Sequence, residues 1–106
     1  MSLTYRVVIT DEALSDLRRC LGYLINVKKS TQAASNLLDD YEAAVALLSV
    51  SAGSLQLCES PNMKARNLRR INFHHLNYFM LYELEGTTAF ITNILHGLED
   101  ADNKLR

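Results

Sequence analysis

The sequence predicts an α+β domain in which one strand is followed by two antiparallel helices and then by a three-stranded antiparallel meander. Two adjacent stretches have the apolar spacing of helices and are joined by a very short link. Two strongly apolar stretches near the end have the composition of strands and are joined by a tight turn. Helices of this kind pack on one face of the sheet. We expect residues 1–106 to form a single domain, because 48% hydrophobic residues suffice for one core.

The first strand and the first helix are marked by composition and by a capping signal. Leu3–Ile9 is rich in β-branched and aromatic residues and predicts a short strand. Thr10 is a typical N-cap, and the two acids that follow it suit the first turn of a helix. The helix is expected to extend to about Val27. Its apolar residues, spaced by three, four and three, form one face: Leu14, Leu17, Leu21 and Leu24.

A second helix of about 18 residues is predicted from Thr31. The link Lys28–Ser30 has only three residues, which forces the two helices into an antiparallel hairpin. The segment Ser49–Ser54 and the region of Pro61, the single proline, interrupt the pattern without forming a domain linker. The apolar side of this helix consists of Ala34, Leu37, Leu38, Tyr41, Ala44, Val45 and Leu48.

Three strands are predicted in the second half of the chain. The first is a basic and histidine-rich strand, Arg69–His75. Asn77–Glu85 is apolar on both faces, which is typical of an interior strand, and Thr88–Leu95 has the same character. Glu85 and Gly86 supply the turn between them. With the helices on one face, the other face of the sheet would remain available to a partner or a substrate.

The charge distribution argues against binding of free nucleic acid. The chain has 11 basic and 12 acidic residues, with a formal charge of −1. Basic residues are concentrated between Lys64 and Arg70, whereas acids cluster at Asp39–Glu42 and Glu99–Asp102. Proteins that bind nucleic acid through phosphates usually carry a broad positive surface. We therefore do not expect this chain to bind free nucleic acid directly.

No metal, cofactor or membrane segment is expected. Cys20 and Cys58 are far apart and lack any Cys-x-x-Cys or Cys/His spacing, so they are interpreted as reduced thiols. No run of about 18 apolar residues occurs. The start of the sequence also lacks the pattern of a signal peptide. These observations favour a cytoplasmic protein without a membrane partner.

The order of these motifs resembles the RelE/ParE superfamily of toxins from bacterial type II toxin-antitoxin modules. The similarity rests on the helical pair, the basic strand Arg69–His75, the two apolar strands and the ending His96–Asp100, and it covers nearly the whole chain. It implies the βααβββ fold and a growth-arresting toxin that a cognate antitoxin neutralises in a hetero-oligomer. Two activities occur on this fold, ribosome-dependent cleavage of mRNA and inhibition of DNA gyrase, and only site residues can distinguish them.

The residues that carry the resemblance favour the gyrase branch. RelE-like ribonucleases usually have a pattern like Tyr-Arg-x-x-Tyr, whereas this chain has Tyr78-Phe79-Met80-Leu81-Tyr82, with Phe79 in place of the arginine. They also carry basic residues after the last strand, where this chain has Gly97-Leu98-Glu99-Asp100. The long helical hairpin and the ending Ile94–Asp100 look more like ParE. A stoichiometric inhibitor is therefore preferred to an enzyme. The alternatives are a ribosome-dependent mRNA endonuclease and a degenerate relative that binds its antitoxin without toxicity.

Three sets of candidate site residues follow from this resemblance. Cleavage of RNA needs proton transfer and a cation for the phosphate, so an endonuclease would use His74 or His75 with Glu83 and Arg70. The candidates for contact with the target are Arg69, Arg70, His74, His96, Lys104 and Arg106. The candidates for contact with the antitoxin are the apolar helix positions Leu14, Leu17, Leu21, Leu24, Leu37 and Tyr41.

The three histidines among these candidates also have a structural interpretation. His74 and His75 are adjacent, so on a strand they would point to opposite faces and could not serve the same role. His96 could instead pair with Asp100 through one helical turn and fix the end of the chain against the sheet.

Overall fold

The structure of the protein is a computed structural model that describes residues 4–55 and 64–97. Its regular elements are β1 (Arg6–Ile9), α1 (Asp11–Asn26), α2 (Thr31–Ser51), a 3-10 turn (Ala52–Ser54), β2 (Leu68–Asn72), β3 (Tyr78–Glu85) and β4 (Thr88–His96). The predicted order of strand, helical hairpin and three further strands is confirmed. None of the described helices is long and apolar enough to cross a membrane.

Helix α1 begins directly after the predicted cap Thr10, and α2 begins at Thr31, as its apolar spacing predicts. The hydroxyl of Thr10 accepts a hydrogen bond from the amide of Ala13 (3.2 Å) and donates one to the carbonyl of Ile91 (2.8 Å). Thr10 thus caps α1 and ties its start to β4. Ser30 caps α2 in the same way, accepting from the Ala33 amide at 3.0 Å. Helix α2 has 21 residues, three more than the expected 18, because it continues through Ser49–Ser51.

The four strands form one mixed sheet in the order β1-β4-β3-β2. Strands β2, β3 and β4 are antiparallel neighbours, which confirms the predicted meander. Strand β1 pairs in parallel with β4, so the first and last strands are adjacent. Strands β3 and β4 are therefore interior, as their apolar composition predicts. Register shifts between Leu81 and Tyr82, so that Leu81 is opposite Asn93 and Tyr82 opposite Ile91.

The main core lies between the helical hairpin and one face of the sheet. The sheet contributes residues from all four strands, among them Val7, Ile71, Met80 and Ile91. The buried helix residues that complete this core are Ala13, Leu17, Cys20, Leu24, Ala34, Leu37, Ala44 and Leu48. Cys20 is a buried free thiol, whereas Cys58 lies outside the described residues.

The opposite face of the sheet has an apolar cluster of its own. Leu68, Phe79, Leu81 and Leu95 form a second apolar cluster there and are only 0 to 3% exposed. Arg70 and Asn72 of β2 are exposed on this face, and the paired residues Val8 of β1 and Phe90 of β4 are half-buried there. The availability of this face to a partner or a substrate stays a prediction.

Several strand boundaries differ from the predicted ones, since β1 begins at Arg6, β2 at Leu68 and β3 at Tyr78. Strand β2 ends at Asn72, so the predicted strand Arg69–His75 is too long and both His74 and His75 lie in the β2–β3 loop. The reason is that the carboxylate of Asp40 binds the loop amides of His75 and Leu76, which replaces ladder hydrogen bonds. Strand β4 includes His96, one residue beyond the predicted end.

Candidate functional site

A buried carboxylate holds the β2–β3 loop against the second helix. Asp40 of α2 is 3% exposed and accepts hydrogen bonds from the amides of His75 (2.9 Å) and Leu76 (3.3 Å). Its other oxygen lies 2.5 Å from His75 Nδ1. The imidazole side chain is 48% exposed, so its ring is oriented by Asp40 while its outer side faces solvent. The ring of His74 meets it edge-on, with centroids 5.0 Å apart.

The surroundings of Asp40 favour its ionised form. Burial raises the pKa of the Asp40 carboxyl, but the hydrogen bonds from His75 and Leu76, together with the charge of His75, lower it by more. The pKa of Asp40 is consequently below its ordinary value of 3.8. A buried carboxylate with three donors is a fixed anchor for the loop, because releasing the loop would leave the charge without partners.

Beside this loop lies a cavity of about 600 Å³ between the second half of α1, the start of β3 and the end of β4. Its lining comprises Arg19, Cys20, Tyr23, Leu24, Lys28, Leu76, Asn77, Tyr78 and His96. Three of these residues are basic and none is acidic. The loop residue Leu76, whose amide binds Asp40, connects the cavity to the Asp40–His75 pair.

His96 lies at the sheet side of this cavity. Its ring packs edge-on against Tyr78, with centroids 5.0 Å apart and planes at 86°. Tyr78 and His96 are directly opposite each other in the β3–β4 ladder. The predicted pairing of His96 with Asp100 lies outside the described residues and stays a prediction.

The basic residues of β2 diverge to the two faces of the sheet. The Arg69 guanidinium donates to the carbonyl of Leu55, which links β2 to the segment after α2. Arg70, on the opposite face, lies with Cζ 3.8 Å above the centre of the Phe79 ring and donates from Nε to Asn72 at 2.7 Å. Its guanidinium is thereby fixed at the surface by stacking and a hydrogen bond.

The sequence and the fold are similar to those of known proteins. The family described as the ParE toxin of type II toxin-antitoxin system, parDE, matches residues 7–101. The chain belongs to the ParE toxin family. No curated protein sequence matches it. The predicted RelE/ParE resemblance is confirmed, with ParE favoured.

Solved structures share the fold of this ParE-family chain at low sequence identity. The chromosomal ParDE system from P. aeruginosa aligns with a TM-score of 0.69 and 18% identity, over 88% of this chain and 96% of that chain. The RelBE2 toxin-antitoxin complex from Mycobacterium tuberculosis gives 0.57 and 20%, over 89% and 92%. A mutant of the E. coli toxin RelE in the free state gives 0.53 and 12%, over 96% and 93%. These similarities show the fold.

In this ParE-family toxin, the structure separates the candidate ribonuclease residue His75 from Glu83 and Arg70. His75 is turned toward Asp40 on the helix side of the sheet, whereas Glu83 and Arg70 alternate onto the opposite face. The Arg70 guanidinium lies above the ring of Phe79, and Glu83 is four residues further along β3. Four residues correspond to about 13 Å at the usual rise of a strand. The nearest described cation to Glu83 is Arg66, with a separation of 3.9 Å.

The predicted target contacts lie at separate places. Arg70 and His74 are exposed, Arg69 is half-buried by its bond to Leu55, and His96 lines the cavity. Lys104 and Arg106 lie outside the described residues.

The predicted antitoxin contacts divide by burial. Leu17, Leu24 and Leu37 belong to the core and are 0 to 7% exposed, and of the three only Leu24 lines the cavity. They are buried because they face β-strands rather than solvent. The remaining candidates, Leu14, Leu21 and Tyr41, are half-buried, and antitoxin contact through them stays a prediction.

Asp40 is the functional-site residue that composition alone misses, because it stands in the acidic cluster of α2. Its position is nevertheless informative. It lies three residues after Leu37 and four before Ala44, on the buried stripe of the helix. A carboxylate on a buried stripe needs hydrogen-bond donors, and that spacing is the signal that identifies it. Among the described residues, no group of three or more His, Cys, Asp or Glu side chains could hold a metal ion.

Proposed function

We propose that this type II toxin arrests bacterial growth in the cytosol by binding and inhibiting DNA gyrase, and that a cognate antitoxin neutralises it. The proposal assigns a stoichiometric role to the chain. Its contacts with the target would come from the exposed basic side chains Arg70 and His74, together with Lys104 and Arg106 of the end of the chain.

The observation that carries the proposal is the separation of the acid–base candidates. RNA cleavage needs a base, an acid and a phosphate-binding cation around one scissile bond. Here Glu83 is paired with Arg66 on one face, and His75 is bound to Asp40 at the other side of the sheet. Phe79, which is buried, stands where RelE-like ribonucleases usually have an arginine. Membership of the ParE toxin family also supports a stoichiometric inhibitor in preference to a ribonuclease.

An antitoxin partner is supported by the solved relatives. The P. aeruginosa protein is part of a ParDE system, and the M. tuberculosis relative was solved as a toxin-antitoxin complex. In this chain, apolar side chains remain exposed on the helices, including Tyr23, Ile25 and Val27 at the end of α1. Apolar surface of this kind is typical of a protein that binds a partner.

A gyrase supercoiling assay tests the proposal. The purified chain is added to gyrase and relaxed plasmid, and supercoiling is expected to stop near an equimolar ratio and to return when the antitoxin encoded beside the gene is added. Arg70→Glu is expected to weaken inhibition, whereas Arg18→Glu on the exposed side of α1 is the matched control. Full supercoiling at a large excess of folded toxin would refute gyrase as the target.

A ribonuclease activity is the second candidate, because of one feature of the Asp40–His75 pair. A carboxylate that binds Nδ1 of a histidine fixes the ring and leaves Nε2 available to accept a proton. The Arg70 guanidinium above Phe79 also places a cation beside the position where the arginine is missing. Primer extension on translated messages after induction distinguishes the candidates. Codon-aligned cuts that disappear in His75→Ala would assign the chain to the ribonuclease branch.

A further inference from the structure

The cavity at the end of the helical hairpin combines an apolar floor with a basic rim. Cys20, Leu24 and Leu76 supply the apolar lining, and all three belong to or pack against the main core. Arg19, Lys28 and His96 are the basic lining residues, and no acid is among the nine residues that surround the space. The cavity thus offers burial to an apolar side chain and positive charge to groups beside it.

We propose that this cavity is an anchor site for the antitoxin, and that it takes an apolar side chain flanked by aspartate or glutamate. The inference rests on the proposed function, since it names the site on the toxin where the antitoxin is held. An apolar anchor that fills a desolvated pocket commonly carries much of the affinity of an interface. Acidic residues beside the anchor would lie near the three basic side chains of the rim.

The size and position of the cavity fit such an occupant. A volume of about 600 Å³ exceeds the space that one side chain fills, so the site accepts an anchor together with neighbouring backbone. Tyr23, which lines the cavity, is 44% exposed, and Val27, one turn further on the same side of the helix, is 63% exposed. A segment that enters the cavity would therefore bury these side chains as well.

The charge of the rim supports a protein segment in preference to nucleic acid. Arg19 already has a carboxylate 3.7 Å away, that of Asp16, and Lys28 lies 5.8 Å from the centre of the Tyr23 ring. The basic side chains of the lining are confined to the rim of the cavity, and the whole chain has a formal charge of −1. A nucleic-acid site normally presents basic residues along a much longer track. An acidic and apolar peptide matches both the floor and the rim.

The loop anchored by Asp40 gives the cavity a fixed wall. Asp40 binds the amide of Leu76, and the amide of Gly97 donates to the carbonyl of Asn77 at 2.7 Å. The wall residues Leu76 and Asn77 are thereby held from α2 on one side and from the end of β4 on the other. A preorganised wall reduces the entropy lost when a partner binds.

Paired charge reversals test the assignment. The rim residues Arg19 and Lys28 each have an exposed basic neighbour outside the cavity, Arg18 and Lys29, which serve as matched controls. The double variant Arg19→Glu with Lys28→Glu is compared with the control Arg18→Glu with Lys29→Glu. Affinity for the purified antitoxin encoded beside the gene is measured by calorimetry, and folding by thermal melting. We expect the rim variant to bind at least about tenfold more weakly and the control to bind within about twofold of wild type, because like charges would then face each other.

A rescue experiment separates recognition from a structural effect. In the antitoxin, the acids beside its anchor are changed to lysine, and the affinity of this variant for the rim double variant is measured. Restored binding is expected only if the two sets of charges face each other. Equal affinities of the rim and control variants for wild-type antitoxin would overturn the inference while leaving the toxin assignment intact. No binding of wild-type toxin to the antitoxin would instead refute the proposed function.

Two other occupants have their own outcomes. The chain itself carries Glu99, Asp100 and Asp102 beyond His96. These three acids can be changed to their amides in the full-length toxin. If the affinity for antitoxin then rises many-fold, and if the rim reversals cancel that rise, the occupant of the cavity is the C-terminal segment of the toxin itself. Binding of a fluorescent single-stranded RNA dodecamer that the rim reversals abolish would assign the cavity to nucleic acid. Either result overturns the inference.

Discussion

Removal of the Asp40 carboxylate tests whether one buried charge holds the β2–β3 loop. In Asp40→Ala, the amides of His75 and Leu76 and the His75 imidazole lose their acceptor. Hydrogen bonds to a charged group contribute about 1.5–3 kcal/mol each. Because the His75 side chain is half exposed and water can replace part of this binding, we expect a total loss of roughly 3 kcal/mol.

The assay is thermal and urea unfolding at neutral pH. For a domain of this size, 1 kcal/mol corresponds to roughly 4–8 °C, so Asp40→Ala is expected to melt about 12–24 °C below wild type. Asp39→Ala is the matched control, since Asp39 is the neighbouring acid and is exposed. Its effect is expected to stay within about 0.5 kcal/mol. Equal melting temperatures for the two variants would refute the anchoring role of Asp40.

The same carboxylate predicts a pH dependence with a definite sign. The folded pKa of Asp40 is lower than its ordinary value of 3.8. A carboxyl group of this kind stabilises the fold fully above its unfolded pKa, and this contribution disappears as the pH falls through 3.8 toward the folded value. The stability difference between wild type and Asp40→Asn is therefore expected to be largest at neutral pH and to shrink below about pH 4. A difference that grows on acidification would contradict the assignment.

Three further substitutions test individual contacts. Tyr82→Phe removes the buried hydroxyl that donates to the carbonyl of Ala52 at 2.7 Å, and a loss of about 1–2 kcal/mol is expected in urea unfolding. Asp16→Ala removes the acceptor of the Ile94 amide (3.0 Å), so hydrogen exchange at Ile94 is expected to accelerate strongly while exchange in β3 changes little. Gly86→Ala meets no atom within 4 Å but keeps a φ of +57°, so a thermal melt is expected to show a loss of about 1 kcal/mol from backbone strain alone.

The elements of this fold are predictable where a local signal determines them. Thr10 and Ser30 are side chains that cap helices by hydrogen bonding to amides three residues ahead, a contact within one turn of chain. Strands β3 and β4 are apolar on both faces, which only interior strands tolerate. The parallel pairing of β1 with β4 has no such signal, because it joins residues about eighty positions apart and depends on how the hairpin packs.

The candidate site was less predictable, for the same physical reason. The residues His75 and His96 are conspicuous in the sequence, but their partners Asp40 and Tyr78 come from other elements. The strand prediction for Arg69–His75 fails because a side chain 35 positions away in sequence competes for the loop amides. Helical spacing places Asp40 on the buried stripe of α2, yet nothing local indicates which donors would reach it.

The arrangement of β3 bears on how an antitoxin could neutralise the toxin. Tyr78 faces the helices and lines the cavity, whereas Phe79, the next residue, points to the opposite face and carries the stacked guanidinium of Arg70. A segment that only filled the cavity would therefore leave Arg70 accessible. If Arg70 contacts the target, neutralisation requires either an antitoxin long enough to pass around the edge strand β2 or one bulky enough to exclude the target from that side. In that case, binding in the cavity and loss of toxicity are separable properties of the antitoxin. The anchor side chain determines binding, and the length of the segment beyond the anchor determines whether toxicity is lost.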